Sequence, residues 1–478
     1  MQQRLKYFFL AGVSIIAIIF IAASGHDRII YINDSVKSII IRAFNLYDLP
    51  ERGTSVITGK SYRKYMKTYR NLPEGMFHFA NMLFYKGNKN TGLGELALSA
   101  IEYTDYYKLY SMKQQIMSKN RINQNIVNSG ELILIEKSLP PFMPDLKVNR
   151  SGKIKFTRGL YFSGDNAGGE SFISKIPALK AKGINAVVFD VKDITGIVHT
   201  KSRVKETRDY KLGRQGAIDN LPRLIRECRE NGIYIIARIA VFHDQLLWSS
   251  DPSSRIKSRS TGRDWNYGSH EMWCDPTNRK VQDYNIALAV ELAEAGVDEV
   301  QFDYIRFPTL GDQGDAAFVY SDGKMERVEV ISGFLKRAHE AVKKAGAFLS
   351  IDIFGVVAWG KEVDINTTGQ QIKLLARHCD VISPMLYPSH FNDNFDGFKN
   401  PGDHPYHFIL EGCRKVAELS EGKVIVRPWL QAFGWRASNF NSAYIREQVK
   451  ASDDSGANGY LFWNASNKYN EVFQSMGK

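Results

Sequence analysis

From residue 157 onward, apolar runs of strand length alternate with stretches in which apolar residues recur at helical spacing. The runs span 157–163, 184–193, 233–242, 297–308, 348–357, 381–388, 424–433 and 458–466. Between them, 171–182, 218–231, 281–295, 327–344 and 442–452 read as helices, and Gly183, Gly232, Gly296, Gly346 and Gly456 stand where helix C-caps precede the next strand. Parallel strands need crossover connections and eight of them close on themselves, so the pattern predicts an α/β fold, a (β/α)8 TIM barrel over 157–473. An open doubly wound sheet would carry a dinucleotide fingerprint after its first strand, and Gly164-Asp165-Asn166-Ala167-Gly168-Gly169 does not match it.

The first part of the chain reads differently. An apolar run at 7–23 follows Arg4 and Lys6 and ends in Ala22, Ala23, Ser24 and Gly25, the pattern of a cleaved export signal or a retained membrane anchor over 1–25. Positive charge ahead of the run places the remainder outside the cytoplasm, in the periplasm or at the cell surface, with an inner-membrane attachment through 7–23 where the run is uncleaved. Residues 26–150 predict a small α+β domain, with two short helices and a strand at 131–135 inside 92–137. Pro140, Pro141 and Pro144 then mark a linker.

Composition adjusts this picture in three places. The net charge is +12, yet residues 1–150 alone hold 20 Lys and Arg against 11 Asp and Glu, so the barrel is close to neutral. A basic domain outside the cytoplasm predicts contact with anionic lipid or wall polymer and no nucleic acid, for which no recognisable module is present. The four cysteines, Cys228, Cys274, Cys379 and Cys413, lack the spacing of a zinc site or disulfide framework and read as buried thiols. No H-x-H or H-E-x-x-H arrangement occurs, so neither a metal nor another cofactor is expected.

Barrel strands alternate between a helix-facing parity, which must be apolar, and an axis-facing parity, which carries function near the strand's C-terminal end. In the fourth strand Val300, Phe302 and Tyr304 form the apolar set, which turns Asp303 to the axis. The same rule turns Asp190 and Lys192 inward in the second strand, Arg238 in the third and Asp352 in the fifth. His243, Arg306, Tyr387, His390, Trp429 and Trp463 fall at or just beyond strand ends and are candidates for binding substrate. Asp190 with Lys192 or Arg238 has an alternative reading as an internal ion pair that fills the barrel.

Carboxylates, basic groups and aromatic faces converging on one rim suit a carbohydrate. Glycosidic cleavage needs one carboxyl to protonate the leaving oxygen and another to act as nucleophile or to activate water. Asp303 is expected to be nucleophile or base, Asp352 the acid and Asp190 next in line, acting on a cell-envelope or extracellular polysaccharide. The rival class is a catalytically silent barrel that binds such a polymer.

Four strand-end segments, 189–193, 301–308, 352–355 and 382–390, resemble in order the motifs of a bacterial family of barrel glycoside hydrolases of unknown function, distantly similar to alpha-galactosidase-type barrels. The resemblance covers roughly 157–473 and implies a catalytic aspartate ending the fourth strand, which falls on Asp303. It also implies an acid after the sixth strand. There this chain has Tyr387 and His390 instead, with Asp393 and Asp396 only further along the loop. Separately, Asn125, Gly130 and the run Leu132-Ile133-Leu134-Ile135 resemble the end of a LysM domain, a module that binds N-acetylglucosamine polymers, although Gly94-Glu95-Leu96 replaces the usual Gly-Asp-Thr opening. That likeness implies peptidoglycan or wall contact through 92–137.

Overall fold

The computed structural model describes residues 72–79, 82–137, 154, 156–210, 216–265, 272–321 and 326–476. They fall into two compact units that divide between residues 143 and 144. The expected signal or anchor at 7–23 and the proline linker lie outside the described residues. Among the described residues no helix is long and apolar enough to cross a membrane.

In the smaller unit, β1 (Met76–Phe79) and β2 (Met82–Lys86) form an antiparallel hairpin. β3 (Thr91–Gly92) and β4 (Ile126–Val127) pair antiparallel around two helices, Leu93–Ala100 and Leu109–Asn120, and β5 (Leu132–Lys137) joins β2. The two helices and following strand expected within 92–137 are therefore present. Leu93, Leu96, Met112 and Ile116 bury one face of each helix against Leu83, Ile133 and Ile135. The buried Asn120 amide ties the second helix to β5, donating to Leu134 O at 2.7 Å and accepting from Leu134 N at 2.9 Å. A buried amide satisfied on both sides fixes the register of helix against strand.

The larger unit is the predicted barrel. β6 (Thr157–Phe162), β7 (Ala186–Lys192) and β8 (Tyr234–Ala240) open it, and β9 (Lys257–Ser258) lies in the loop after β8. β10 (Glu299–Asp303) continues the barrel, and β11 (Ala316–Ala317), in the next loop, pairs with β9. β12 (Phe348–Phe354), β13 (Val381–Met385), the broken strand β14 (Ile425–Val426) plus β15 (Trp429–Gln431), and β16 (Gly459–Trp463) complete the circuit. All eight positions pair parallel, and β16 closes back onto β6. The break between β14 and β15 holds Pro428, which has no N–H to give to a ladder.

The expected helices are present, and Gly296 and Gly346 cap two of them at positive φ, where a Cβ would be strained. The helix Pro405–Leu419, between β13 and β14, was not among those expected. The four cysteines are buried and free. Side chains on the axis stack in layers. Tyr234, Glu299 and Arg427 form the lowest, Gln301, Ser350 and Ser383 the next, and Asp190, Arg238, Asp303 and Asp352 the one at the strands' C-terminal ends.

Candidate active site

Parity places Arg238 at the centre of the upper layer. Its Nη1 donates to Asp190 Oδ1 at 2.5 Å and its Nη2 to Asp303 Oδ2 at 2.5 Å, while Nε lies 3.8 Å from Asp352 Oδ2. One guanidinium thus holds carboxylates from three strands. Burial opposes its charge, but Asp190 and Asp303 hold its pKa well above the usual arginine value, so it stays cationic.

The three carboxylates differ in how they are satisfied. Asp190 is fully engaged, with Tyr161 Oη donating to its second oxygen at 2.5 Å. Burial raises its pKa, and Arg238 and Tyr161 oppose that rise. Asp303 accepts from Arg238 through one oxygen and from Tyr304 N, at 2.6 Å, through the other. The residue supplying that N–H, Tyr304, has φ of 53°, a left-handed conformation that costs energy for a side chain of this size. Such strain at a strand end is characteristic of functional sites.

Asp352 is the exception. Its Oδ1 accepts from Trp429 Nε1 at 2.8 Å, and its Oδ2 is buried with no hydrogen-bond partner. Burial first, then repulsion from Asp303, pushes its pKa well above the ordinary carboxylate value. A proton on Oδ2 would remove the uncompensated charge on the lone oxygen. Although its strand runs on to Phe354, Asp352 lies level with Asp303, because Gln301 pairs with Ser350 and Phe302 with Ile351.

Other expected site residues are distributed around this cluster. Trp429 is buried and braces Asp352 through its indole N–H. Tyr387, at the end of β13, packs its ring against Trp463 at 5.6 Å and His390 at 5.0 Å. On the opposite side, His243 stacks on Trp273 at 4.9 Å, and the Arg306 guanidinium lies over the rings of Trp273 and Phe354 at 4.6 and 4.5 Å. These side chains form a shell behind Tyr304.

Lys192 is not part of the rim. A β-bulge between Asp190 and Lys192 shifts the register of β7 against β8, so the alternation that turned Asp190 inward no longer applies. Lys192 is sealed in an ion pair with Asp244 at 2.6 Å, both side chains without exposure. Asp393 and Asp396, the carboxylates beyond the sixth strand, are also engaged elsewhere. Asp393 pairs with Arg436, and Asp396 with His407 Nε2 at 2.7 Å.

Two participants were missed by sequence reasoning. Tyr161 lies in the strand end Leu160-Tyr161-Phe162, where both parities carry large hydrophobic or aromatic residues, so no chemical contrast marked it. Trp273 comes from the long loop after β8 and is brought to His243 only by the fold. No group of His, Cys, Asp and Glu among the described residues is arranged to hold a metal ion.

Residues 159–469 match a family described as "Putative glycosyl hydrolase domain". No curated protein sequence matches the chain. Among solved structures it is similar to a hypothetical protein from Ruminiclostridium thermocellum ATCC 27405, at 32% identity over 40% of this chain and 96% of that one, with a TM-score of 0.36. It is also similar to the glycoside hydrolase domain of PgaB (BpsB) from Bordetella bronchiseptica, at 15% identity over 67% and 99%, TM-score 0.49. A third is the spore cortex-lytic enzyme SleL of Bacillus cereus, at 10% identity over 82% and 86%, TM-score 0.38.

Proposed function

This chain belongs to the glycosyl hydrolase domain family matched over residues 159–469, and on that premise we propose that the Arg238 cluster cleaves glycosidic bonds in a polysaccharide. The observation that carries the proposal is the inequality among three carboxylates around one arginine. Asp190 and Asp303 each have both oxygens in hydrogen bonds, whereas Asp352 has an oxygen with no partner and a pKa pushed well above the ordinary value by burial and by Asp303. Hydrolysis requires that separation, because one carboxyl must give a proton while its neighbour stays charged.

Asp303 takes the role of nucleophile or of the base that activates water, since it is the most exposed of the three at 5%. Asp352 delivers the proton on Oδ2 to the leaving oxygen. Arg238 holds Asp303 in place, and Asp190, with no free oxygen, positions Arg238. Trp463, half-buried, offers an apolar face to a sugar ring at the mouth, and the buried Tyr387 packs behind it.

We place the activity outside the cytoplasm, exported by residues 1–25 and held at the membrane where 7–23 is retained. The basic N-terminal part with its LysM-like stretch then touches peptidoglycan or another wall polymer. The support is the charge pattern of 1–150 and the small-residue end of the apolar run. Cell fractionation tests the location.

The test of the activity is release of reducing ends from purified wall and capsule polysaccharides by wild-type protein and by Asp303→Asn. Hydrolysis predicts release by the first and none by the second. Retention of polymer with no release by either protein would instead establish the silent binding barrel.

A further inference from the structure

The aromatic rings around the carboxylate cluster form a connected series. Tyr161, whose hydroxyl holds Asp190, meets Trp463 at 6.2 Å between ring centroids. Trp463 meets Phe433 at 5.4 Å, Phe433 meets His390 at 5.8 Å, and His390 meets Trp435 at 5.5 Å. Exposure rises along the series. Tyr161 is buried, Trp463 and Phe433 are half-buried, His390 is exposed, and Trp435 is 57% exposed.

Leaving an indole this open forfeits burial that a loop is normally free to recover by folding the ring down. Here the loop has no such freedom. Gln431 Nε2, itself buried, donates to the carbonyls of Phe433 at 2.9 Å and Trp435 at 3.3 Å. Arg436 Nη1 donates to Ser389 O at 3.0 Å and Phe391 O at 3.1 Å, clipping the loop onto the one after β13. Ser438 N donates to Asp403 at 2.7 Å, and a Cβ on Gly402 would meet Arg436 O at 1.9 Å. The Arg436 guanidinium lies over the indole at 5.6 Å from its centroid. Trp435 is therefore presented to solvent by a clamped loop.

We propose that Trp435 is the outer sugar platform of an extended cleft, so that the protein acts on strands of several sugars and not on short ends. The proposal rests on the glycoside-hydrolase reading of the Arg238 cluster and adds where the polymer lies. The C–H faces of pyranose rings are apolar and stack on indole, and rings stepping outward from the reacting carboxylates offer successive positions along one strand. A polymer that reaches Trp435 gains binding unavailable to a disaccharide seated at Asp303.

The test uses wild type, Trp435→Ala and Trp435→Phe in native gels cast with peptidoglycan glycan strands, chitosan, alginate or a β-glucan. Two-sugar and six-sugar fragments of the retarding polymer are then titrated calorimetrically. Trp435→Ala should bind the six-sugar fragment roughly tenfold more weakly and the two-sugar fragment within about twofold of wild type, with an unchanged Tm. Trp435→Phe should recover most of the loss. Equal weakening toward both fragments, no weakening, or no retardation of wild type by any polymer would overturn the platform. Retardation that depends on Trp435 without release of reducing ends leaves the platform standing and removes hydrolysis. Equal release from long strands by wild type and Trp435→Ala does the reverse.

Discussion

The barrel axis holds two arginine–carboxylate assemblies, one at each end. In the lower, Arg427 pairs with Glu299, neither side chain is exposed, and Tyr234 donates to the same carboxylate at 3.0 Å. In the upper, Arg238 pairs with Asp190, Tyr161 donates to that carboxylate at 2.5 Å, and two further carboxylates, Asp303 and Asp352, share the same guanidinium. The chemical parts are alike and the stoichiometry is not. A balanced pair in the barrel floor can do little but hold strands together, because each charge is cancelled where it stands. An assembly with three acids for one base carries excess negative charge, and under the proposed function the proton that relieves it is the one transferred. On that proposal charge balance, more than burial, separates a structural ion pair from a reactive one.

The largest effects should fall on opposite properties. Asp303→Asn keeps the shape but turns one of two accepting oxygens into a donor that faces Arg238 or Tyr304 N, so turnover should drop about 10^4-fold with only a modest loss of stability, about 1–3 kcal/mol by denaturant titration. Arg427→Met leaves Glu299 as an uncompensated buried charge and should cost about 3–5 kcal/mol of stability by denaturant titration, with kcat of the folded fraction unchanged. If Arg427→Met abolished turnover in protein that is still folded, the two assemblies would not be distinct in kind.

Asp352→Asn sharpens the contrast through pH. Its carboxyl is raised well above 3.8 by burial and then by Asp303, so the neutral form is the one the fold prefers. That preference favours folding fully at pH below the ordinary aspartate value and is lost as pH rises through the raised one. The amide mimics the neutral acid, so the variant should gain in Tm over wild type as pH increases. The same substitution removes the transferable proton and should lower kcat about 10^2-fold, a usual contribution of general acid catalysis. Wild-type activity should fall as pH rises through the Asp352 pKa, and this alkaline limb should vanish in any residual activity of the variant. A Tm difference that is flat with pH would show Asp352 to be ionised in the folded protein.

Most of the upper assembly was readable from the order of residues, because a parallel barrel has helices outside and a two-residue alternation inside. That rule was enough to bring Asp190, Arg238, Asp303 and Asp352 to one rim. It failed at Lys192, where a bulge inserts a residue and reverses the faces, and no local chemistry announces the bulge in Val191-Lys192-Asp193. It was silent on Tyr161, since the strand end Leu160-Tyr161-Phe162 is large and hydrophobic or aromatic on both parities and offers no contrast. It could not give the depth of Asp352, because depth depends on the register between strands and not on the distance to a strand's own end. The helix Pro405–Leu419 was overlooked although Pro405 occupies an N-terminal position that proline favours.

The smallest difference expected is also the most discriminating, because it uses the same substitution twice. Tyr234→Phe and Tyr161→Phe each delete one hydroxyl that donates to a carboxylate already paired with arginine. In the floor, the lost bond to Glu299 is a loss of stability alone, about 1.5–3 kcal/mol for a hydrogen bond to a charged group. In the rim, the Tyr161 hydrogen bond helps to keep Asp190 ionised against burial. Without it Asp190 takes up a proton more readily and draws less on Arg238. The guanidinium then serves Asp303 and Asp352 more strongly, and the pKa of Asp352 falls. Tyr161→Phe should therefore move the alkaline limb of activity to lower pH and reduce turnover at neutral pH by roughly tenfold, the equivalent of about 1.4 kcal/mol. Tyr234→Phe should leave the pH profile where it is. Superimposable profiles and equal Tm losses in the two variants would mean that the extra carboxylates at the rim change nothing, and that the upper assembly is a second structural pair.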